Sequence, residues 1–368
     1  MIRLSMLQFR IQAITAAATL TAFAVLLVAT GPQLASTYAA DGLDSCHGGS
    51  CANLANYFTG SLLRSPYAVL WLLSLGIILL APAVIGLFWG APLIARELET
   101  GTAALAWNQS VTRTRWLAVK LTAGALAAMA VTEALCLMQA WWAAPISQAV
   151  ADGASAGGLA QSRFSQLNFA THGVSPLGYA VFAFALGVTA GALIRRTVPA
   201  MAVTLAIFAA LQVAMPMWVR PNLAPAGHVV IPVSWQGNFS PAQTGPGGSS
   251  FTLFAVNLPG QPSAWLLSSG PVNAAGQAVS ATPAACASIA NTGGGNTGTS
   301  QASQGGSGAP ATGAAAFLAC LDSHGIREAI TYQPASRYWR FQWTETAIYL
   351  ALALALAGYC FRRLTRLS

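Results

Sequence analysis

The sequence predicts an all-α integral membrane protein with six transmembrane helices, and three observations carry that expectation. Six apolar runs, at about 13–30, 66–89, 116–142, 176–194, 197–219 and 343–361, are each long enough to cross a hydrocarbon core of ~30 Å as a helix. Charged residues make up 7% of the chain, against about 25% in soluble domains, so most of its surface does not meet water. The basic residues are unevenly shared. With the N-terminus placed in the cytoplasm, that side holds Arg3, Arg10, Arg96, Arg113, Arg115, Lys120, Arg195, Arg196, Arg362, Arg363 and Arg366. The much longer opposite segments hold Arg64, Arg163, Arg220, Arg327, Arg337 and Arg340. This bias places both termini in the cytoplasm and a large extracytoplasmic loop between helices five and six. A net charge of +8 would suggest nucleic acid for a soluble protein; here it marks orientation, and no nucleic-acid partner is expected.

Residues 1–12 place Leu4, Leu7 and Ile11 at helical spacing, which suits a segment lying along the membrane surface and equally a ragged tail. The first apolar run reads as a span. Read instead as a secretory signal, with a loose cleavage site at Thr37 to Ala39, it has an apolar core longer than the usual ~7–15 residues and an unsuitable Tyr38. Ser65 and Pro66 form a cap and a first-turn proline at the start of helix two. Pro82 lies deep in that helix and is expected to kink it near Ile78 to Ala81. Trp116 at one end of helix three and Trp141 and Trp142 at the other stand roughly 39 Å apart, the spacing of two interfacial belts. Only Arg195 and Arg196 join helices four and five, in a tight hairpin.

Three divisions follow: 1–219, holding helices one to five with a charged segment at 90–115; 220–342, the extracytoplasmic part; and 343–368, the last helix with a basic tail. Within the second, 291–313 is a low-complexity insert of Gly, Ser, Thr and Asn. The stretches 228–235 and 250–258 have strand-like apolar content, which points to a small subdomain. Of the six cysteines, Cys136 and Cys360 sit inside apolar helices as small core residues. Cys46, Cys51, Cys286 and Cys320 fall on the oxidising side and suggest two disulfides, most simply as local pairs, although four cysteines allow three connectivities and four free thiols are the alternative.

Hydrolysis of ATP by this chain is excluded, because the phosphate-cradling loop needs a lysine after its glycines and the only lysine is Lys120, in LAVKL. His47, His172, His228 and His324 are scattered without metal-site spacing, so no metal is expected. Between helices two and three, Arg96, Glu97 and Glu99 make a charged turn, Gly101 can end it, Thr102 can cap the next turn, and Ser110, Arg113 and Arg115 lead into helix three. Such a short, stiff knuckle can pass force from a soluble partner to two helices. A plain solvated loop with interfacial arginines is the alternative.

The stretch FWGAPLIARELETGTAALAWNQSVTRTRWLAVKL, from Phe88 to Leu121, resembles the coupling region of ABC-2 type ABC transporter permeases. Their R-E-x-x-x-G-T pattern falls on Arg96, Glu97, Gly101 and Thr102. Residues 330–357 are similar to the last span and its lead-in within a bacterial branch of that family. The resemblance implies a bacterial plasma-membrane exporter in which two permeases pair, as a homodimer or with a heterodimer as the alternative, and separate ABC ATPase subunits grip the knuckle through Arg96, Glu97, Glu99, Gly101 and Thr102. ATP and Mg would be held by those ATPases, with no cofactor and no catalysis in this chain. Its cargo would be amphipathic or hydrophobic. The large loop departs from compact members.

Glu133 lies within helix three, where an ionisable group is costly, and reads as lining or gating a translocation path or as structurally paired. Glu345 sits at the start of helix six, where its charge suits the helix N-terminus. A rival function from another class is a membrane-anchored sensing or binding protein that uses 220–342. A membrane enzyme is weaker, since no pair of acids and no Ser and His stand together inside the spans.

Overall fold

The structure, a computed structural model, describes residues 10–46, 51–99, 113–154, 163–233, 239–244, 250–255, 258, 264–286 and 312–365. Long apolar runs give the backbone no water to bond, so each closes its hydrogen bonds internally as a helix. In chain order the helices are α1 (Arg10–Ala40), α2 (Cys51–Leu63), α3 (Pro66–Glu99), α4 (Arg113–Trp142), α5 (Ala144–Ala151), α6 (Gln166–Thr171), α7 (Ser175–Ile194), α8 (Thr197–Asn222), α9 (Thr312–Ser323) and α10 (Tyr338–Thr365). Six of them, α1, α3, α4, α7, α8 and α10, are long and apolar enough to cross a membrane. Helix α3 starts as its sequence dictates: the Ser65 hydroxyl accepts from the Tyr67 amide at 3.3 Å and Pro66 occupies the first turn. It then runs through the charged turn to Glu99 without a break.

Helix α7 is the hub, packed by α3, α4, α8 and α10. Of its most apolar stretch 78% is buried, against 11% for α1. Small residues make this possible. A methyl group at Gly187 would lie 2.2 Å from the Gly86 carbonyl oxygen, and one at Gly191 would lie 2.4 Å from that of Ala91. The backbones of α3 and α7 therefore touch, as small-residue crossings allow in membranes. At this crossing α3 widens into a π-helical turn, Gly86–Gly90. The described irregularity thus lies one turn past Pro82, where the glycines open space for α7, rather than at Ile78 to Ala81.

The region after α8 corrects the expectation of an all-α chain, because it holds five strands: β1 (Gly227–Pro232), β2 (Phe239–Thr244), β3 (Ser250–Ala255), β4 (Trp265–Val272) and β5 (Arg327–Gln333). Alternation in GHVVIP, half-buried and exposed by turns, is a strand's period of two and not a helix's. The first sheet is antiparallel in the order β1-β5-β4, with Gly227 opposite Tyr332 and Pro232 opposite Arg327. A bulge between Leu266 and Ser268 shifts the β4 register. Strands β2 and β3 form a separate antiparallel pair. Helix α9 packs Phe317, Leu318 and Leu321 with Val233 and Ile326, and a Cys286–Cys320 disulfide ties it down. A second disulfide joins Cys46 to Cys51 ahead of α2. Cys136 and Cys360 are buried thiols. The low-complexity insert lies outside the described residues up to Thr312, where α9 begins.

Candidate coupling site and the helix-end ion pairs

Hydrogen bonds sort the helix ends into two groups. At one end Gln12 donates to the Phe88 carbonyl, Glu97 meets Lys120, Glu99 meets Thr197, and the Cys360 thiol donates to Thr189. This end carries the charged knuckle. At the other end Trp142 donates to Thr30, Ser175 donates to Gln342, and Arg220 donates to Glu345. This second end carries the sheet.

At the knuckle end, the sequence places Glu97 in the last turn of α3 and Lys120 in the third turn of α4. The Lys120 ammonium donates to the Glu97 carboxylate, sits 4.4 Å over the Trp116 ring and is 2% exposed. Glu99 reaches a third helix. One of its oxygens accepts from the Thr197 amide at 2.9 Å, and the other accepts from the Thr197 hydroxyl at 2.6 Å. An acid from α3 thereby caps the N-terminus of α8, satisfying an otherwise free amide and complementing the helix dipole. The hairpin feeding α8 depends on Arg195, whose φ of 56° is left-handed, and its amide donates to the Gly191 carbonyl at 3.0 Å. Arg96 and Arg115 are exposed at this end. Gly101, Thr102 and Ser110 lie outside the described residues. The structure therefore engages Glu97 with Lys120 and Glu99 with Thr197, within the chain.

Glu133 is half-buried on α4. It shares that helix face with Leu126 and Leu137, seven residues before and four after, which are 62% and 61% exposed. Its face is thus the one that the rest of the chain leaves uncovered.

The sheet end contains the most enclosed charges. Arg220, in the last turn of α8, donates through Nε to one Glu345 oxygen at 2.9 Å and through Nη2 to the other at 3.0 Å. Tyr179 donates to the same carboxylate, and the guanidinium lies 3.9 Å over the Phe169 ring. Arg220 and Glu345 are 2% and 0% exposed. The α6–α7 junction is pinned beside them by Gln342, whose amide donates to the carbonyls of Phe169 and His172 and whose oxygen accepts from Ser175. Glu345 is therefore the counter-ion of a buried arginine as well as a residue near a helix start. The pairing escaped the sequence, which had counted Arg220 as a loop charge. The signal was one lone basic and one lone acidic residue at the same end of consecutive apolar runs.

His324 is 3.9 Å from Cys286 Sγ and 4.0 Å from Cys320 Sγ, but these sulfurs are bonded to each other and offer no thiolate to a metal.

Six long apolar helices around a glycine-lined hub, with Glu133 as a charge well inside one of them, define a multi-pass membrane protein of the transporter-permease type. The chain belongs to the family of ABC-2 membrane transporter related proteins, whose model matches residues 17–220, more than half its length. No curated protein and no solved structure matches it. The match spans α1 to α8, and so includes the knuckle and the α3–α7 crossing.

Proposed function

We propose that the chain is the membrane-spanning permease subunit of an ATP-driven exporter in the bacterial plasma membrane. Two copies build the path, and separate ABC ATPases, which bind ATP and Mg, grip the segment 90–115. Both termini and the knuckle are cytoplasmic in this reading, and the sheet is extracytoplasmic, where its disulfides are stable. The observation that carries the proposal is the bracing of the knuckle end. Through Lys120 and Thr197, the acids of α3 link it to the starts of α4 and α8, so a push on the knuckle is delivered to three helices at once. Catalysis belongs to the partner, and the chain supplies the lever and the path.

Glu133 lines that path. A carboxylate on an uncovered helix face inside a bilayer costs about 2.5–3.5 kcal/mol or more if it meets lipid. It is accommodated if water or the second copy meets it.

Co-purification in mild detergent tests the proposal. A near-stoichiometric ATPase carrying its own phosphate loop is expected with the tagged chain. Arg96→Glu, which leaves both internal acid contacts in place, should lower ATPase recovery about tenfold, the weight of one charge-assisted contact, while the permease melts as before. Recovery without any ATPase, even after gentle crosslinking, would sink the proposal and favour a sensing protein built on the 220–342 region.

A further inference from the structure

A cavity of about 260 Å³ lies at the sheet end, where the turn between α4 and α5, the α6–α7 loop and the first turn of α10 converge. Its depth follows from its tryptophans. Trp339, 55% exposed in the first turn of α10, marks the membrane interface as tryptophans at helix ends do, and Trp71, in an early turn of α3, lines the same cavity from within the protein. The cavity is therefore at headgroup level, with one side toward the apolar interior and one toward water.

Its lining holds both apolar and basic side chains. Trp71, Ala143, Ile146 and Val150 make an apolar wall, of which Trp71 and Ile146 are 4% exposed. Arg163 and His172 line it as well. Burial and the nearby Arg163 charge both hold the His172 imidazole below its ordinary pKa, so it is neutral at pH 7. Its Nδ1 is occupied by the Asn168 carbonyl at 3.0 Å. Arg163 is exposed, no acidic side chain lines the cavity among the described residues, and Arg163 belongs to neither the Lys120–Glu97 nor the Arg220–Glu345 pair. One permanent positive charge thus faces an apolar slot at the depth where lipid-like molecules change from chain to head.

We propose that this cavity binds an anionic amphiphile, with its apolar chain along Trp71, Ile146 and Val150 and its phosphate, sulfate or carboxylate head at Arg163. The membrane setting is all it requires of the functional reading, because binding here is measurable without ATPase or transport. A bilayer lipid and a free single-chain amphiphile present the same chemistry.

The test uses the full chain in phosphatidylcholine nanodiscs with one of two photoreactive probes, a phosphatidylglycerol or a dodecyl phosphate, and maps adducts by peptide mass spectrometry. Adducts should concentrate on the peptides holding Ala143 to Val150 and Trp339. Arg163→Gln should reduce them about tenfold, as loss of a hydrogen bond to a charged group does, and Val150→Trp should reduce them by filling the slot. A quaternary-ammonium amphiphile of equal chain length should not compete. Labelling by the phosphatidylglycerol probe that resists excess dodecyl phosphate assigns the site to bilayer lipid; displacement assigns it to the free amphiphile. Adducts spread evenly over the exposed helix faces, or unchanged in both variants while melting stays at the parent value, would overturn the proposal. Arg163 is exposed, so Arg163→Gln keeps the test open if Val150→Trp fails to fold.

Discussion

Lys120 with Glu97 at the knuckle end and Arg220 with Glu345 at the sheet end are both ion pairs between neighbouring helices, yet their surroundings differ. The guanidinium of Arg220 makes two parallel bonds to its partner, under a third bond from Tyr179 and over the Phe169 ring. Lys120 offers a point charge to a glutamate that is 17% exposed. Arginine fixes direction where lysine fixes only distance. The sheet end is consequently a clamp, and the knuckle end is a bracket whose parts can shift. In the proposed coupling, that asymmetry would let force enter where contacts can rearrange and act against a body that does not yield.

The largest expected effect tests this directly. Glu345→Gln leaves the Arg220 charge buried without a counter-ion, which costs about 3–5 kcal/mol. Replacing both partners by apolar residues, Arg220→Met with Glu345→Leu, should recover most of that loss, since the desolvation penalty disappears with the charges. Lys120→Met at the other end removes the cation from a carboxylate that water already reaches and should cost less, about 1–2 kcal/mol. Thermal unfolding of the detergent-solubilised chain, followed by loss of the monodisperse peak, reads all three. Equal losses at the two ends would remove the distinction between clamp and bracket.

That distinction was only half legible in the sequence. The six spans could be read because length and hydropathy alone decide whether a run can cross a bilayer. The charged turn from Arg96 to Glu99 was legible for the same local reason. The partners of its acids were not, because Lys120 and Thr197 reach them through helix packing. Arg220 and Glu345 are 125 residues apart, and nothing local to either announces the other. The α3–α7 crossing left a visible trace, a glycine every fourth residue at Gly86 and Gly90 and again at Gly187 and Gly191. Strands β1 and β3 showed in the composition of 228–235 and 250–258. The pairing of β1 with β5 did not, since register across almost a hundred residues is set by what the sheet buries.

The clamp end carries one group that weakens it with pH. Glu328, on the central strand β5, is fully buried with no hydrogen-bond partner for either carboxylate oxygen among the described residues, and burial pushes its carboxyl up from 4.5 to about 7. Because the folded pKa lies above the unfolded one, the folded sheet holds the proton more tightly between those values. The stabilisation is complete below about 4.5 and is lost as pH rises through about 7. At most it amounts to roughly 3 kcal/mol. Limited proteolysis between pH 5 and pH 8 should show the sheet opening more readily at the higher pH, and Glu328→Gln should flatten the dependence. A pH-independent wild type would mean that the carboxyl is charged in place and that the sheet is as firm as the helix end beneath it.

The smallest effect belongs to the most exposed contact of the bracket. Glu99 holds Thr197 through its amide and its hydroxyl, so Glu99→Ala removes the cap of α8 while leaving every buried apolar contact of that helix in place. Loss of a cap acts within the first turn, because the dipole and the free amides are concentrated there. Hydrogen exchange should therefore accelerate roughly three- to tenfold at Thr197 and Val198, with no change deeper in α8 and no change in melting. Thr197→Val, which keeps the amide bond and loses the hydroxyl bond, should give an intermediate rate. Acceleration spreading along α8 toward Arg220 would join the two ends mechanically, because loosening the bracket would then loosen the clamp.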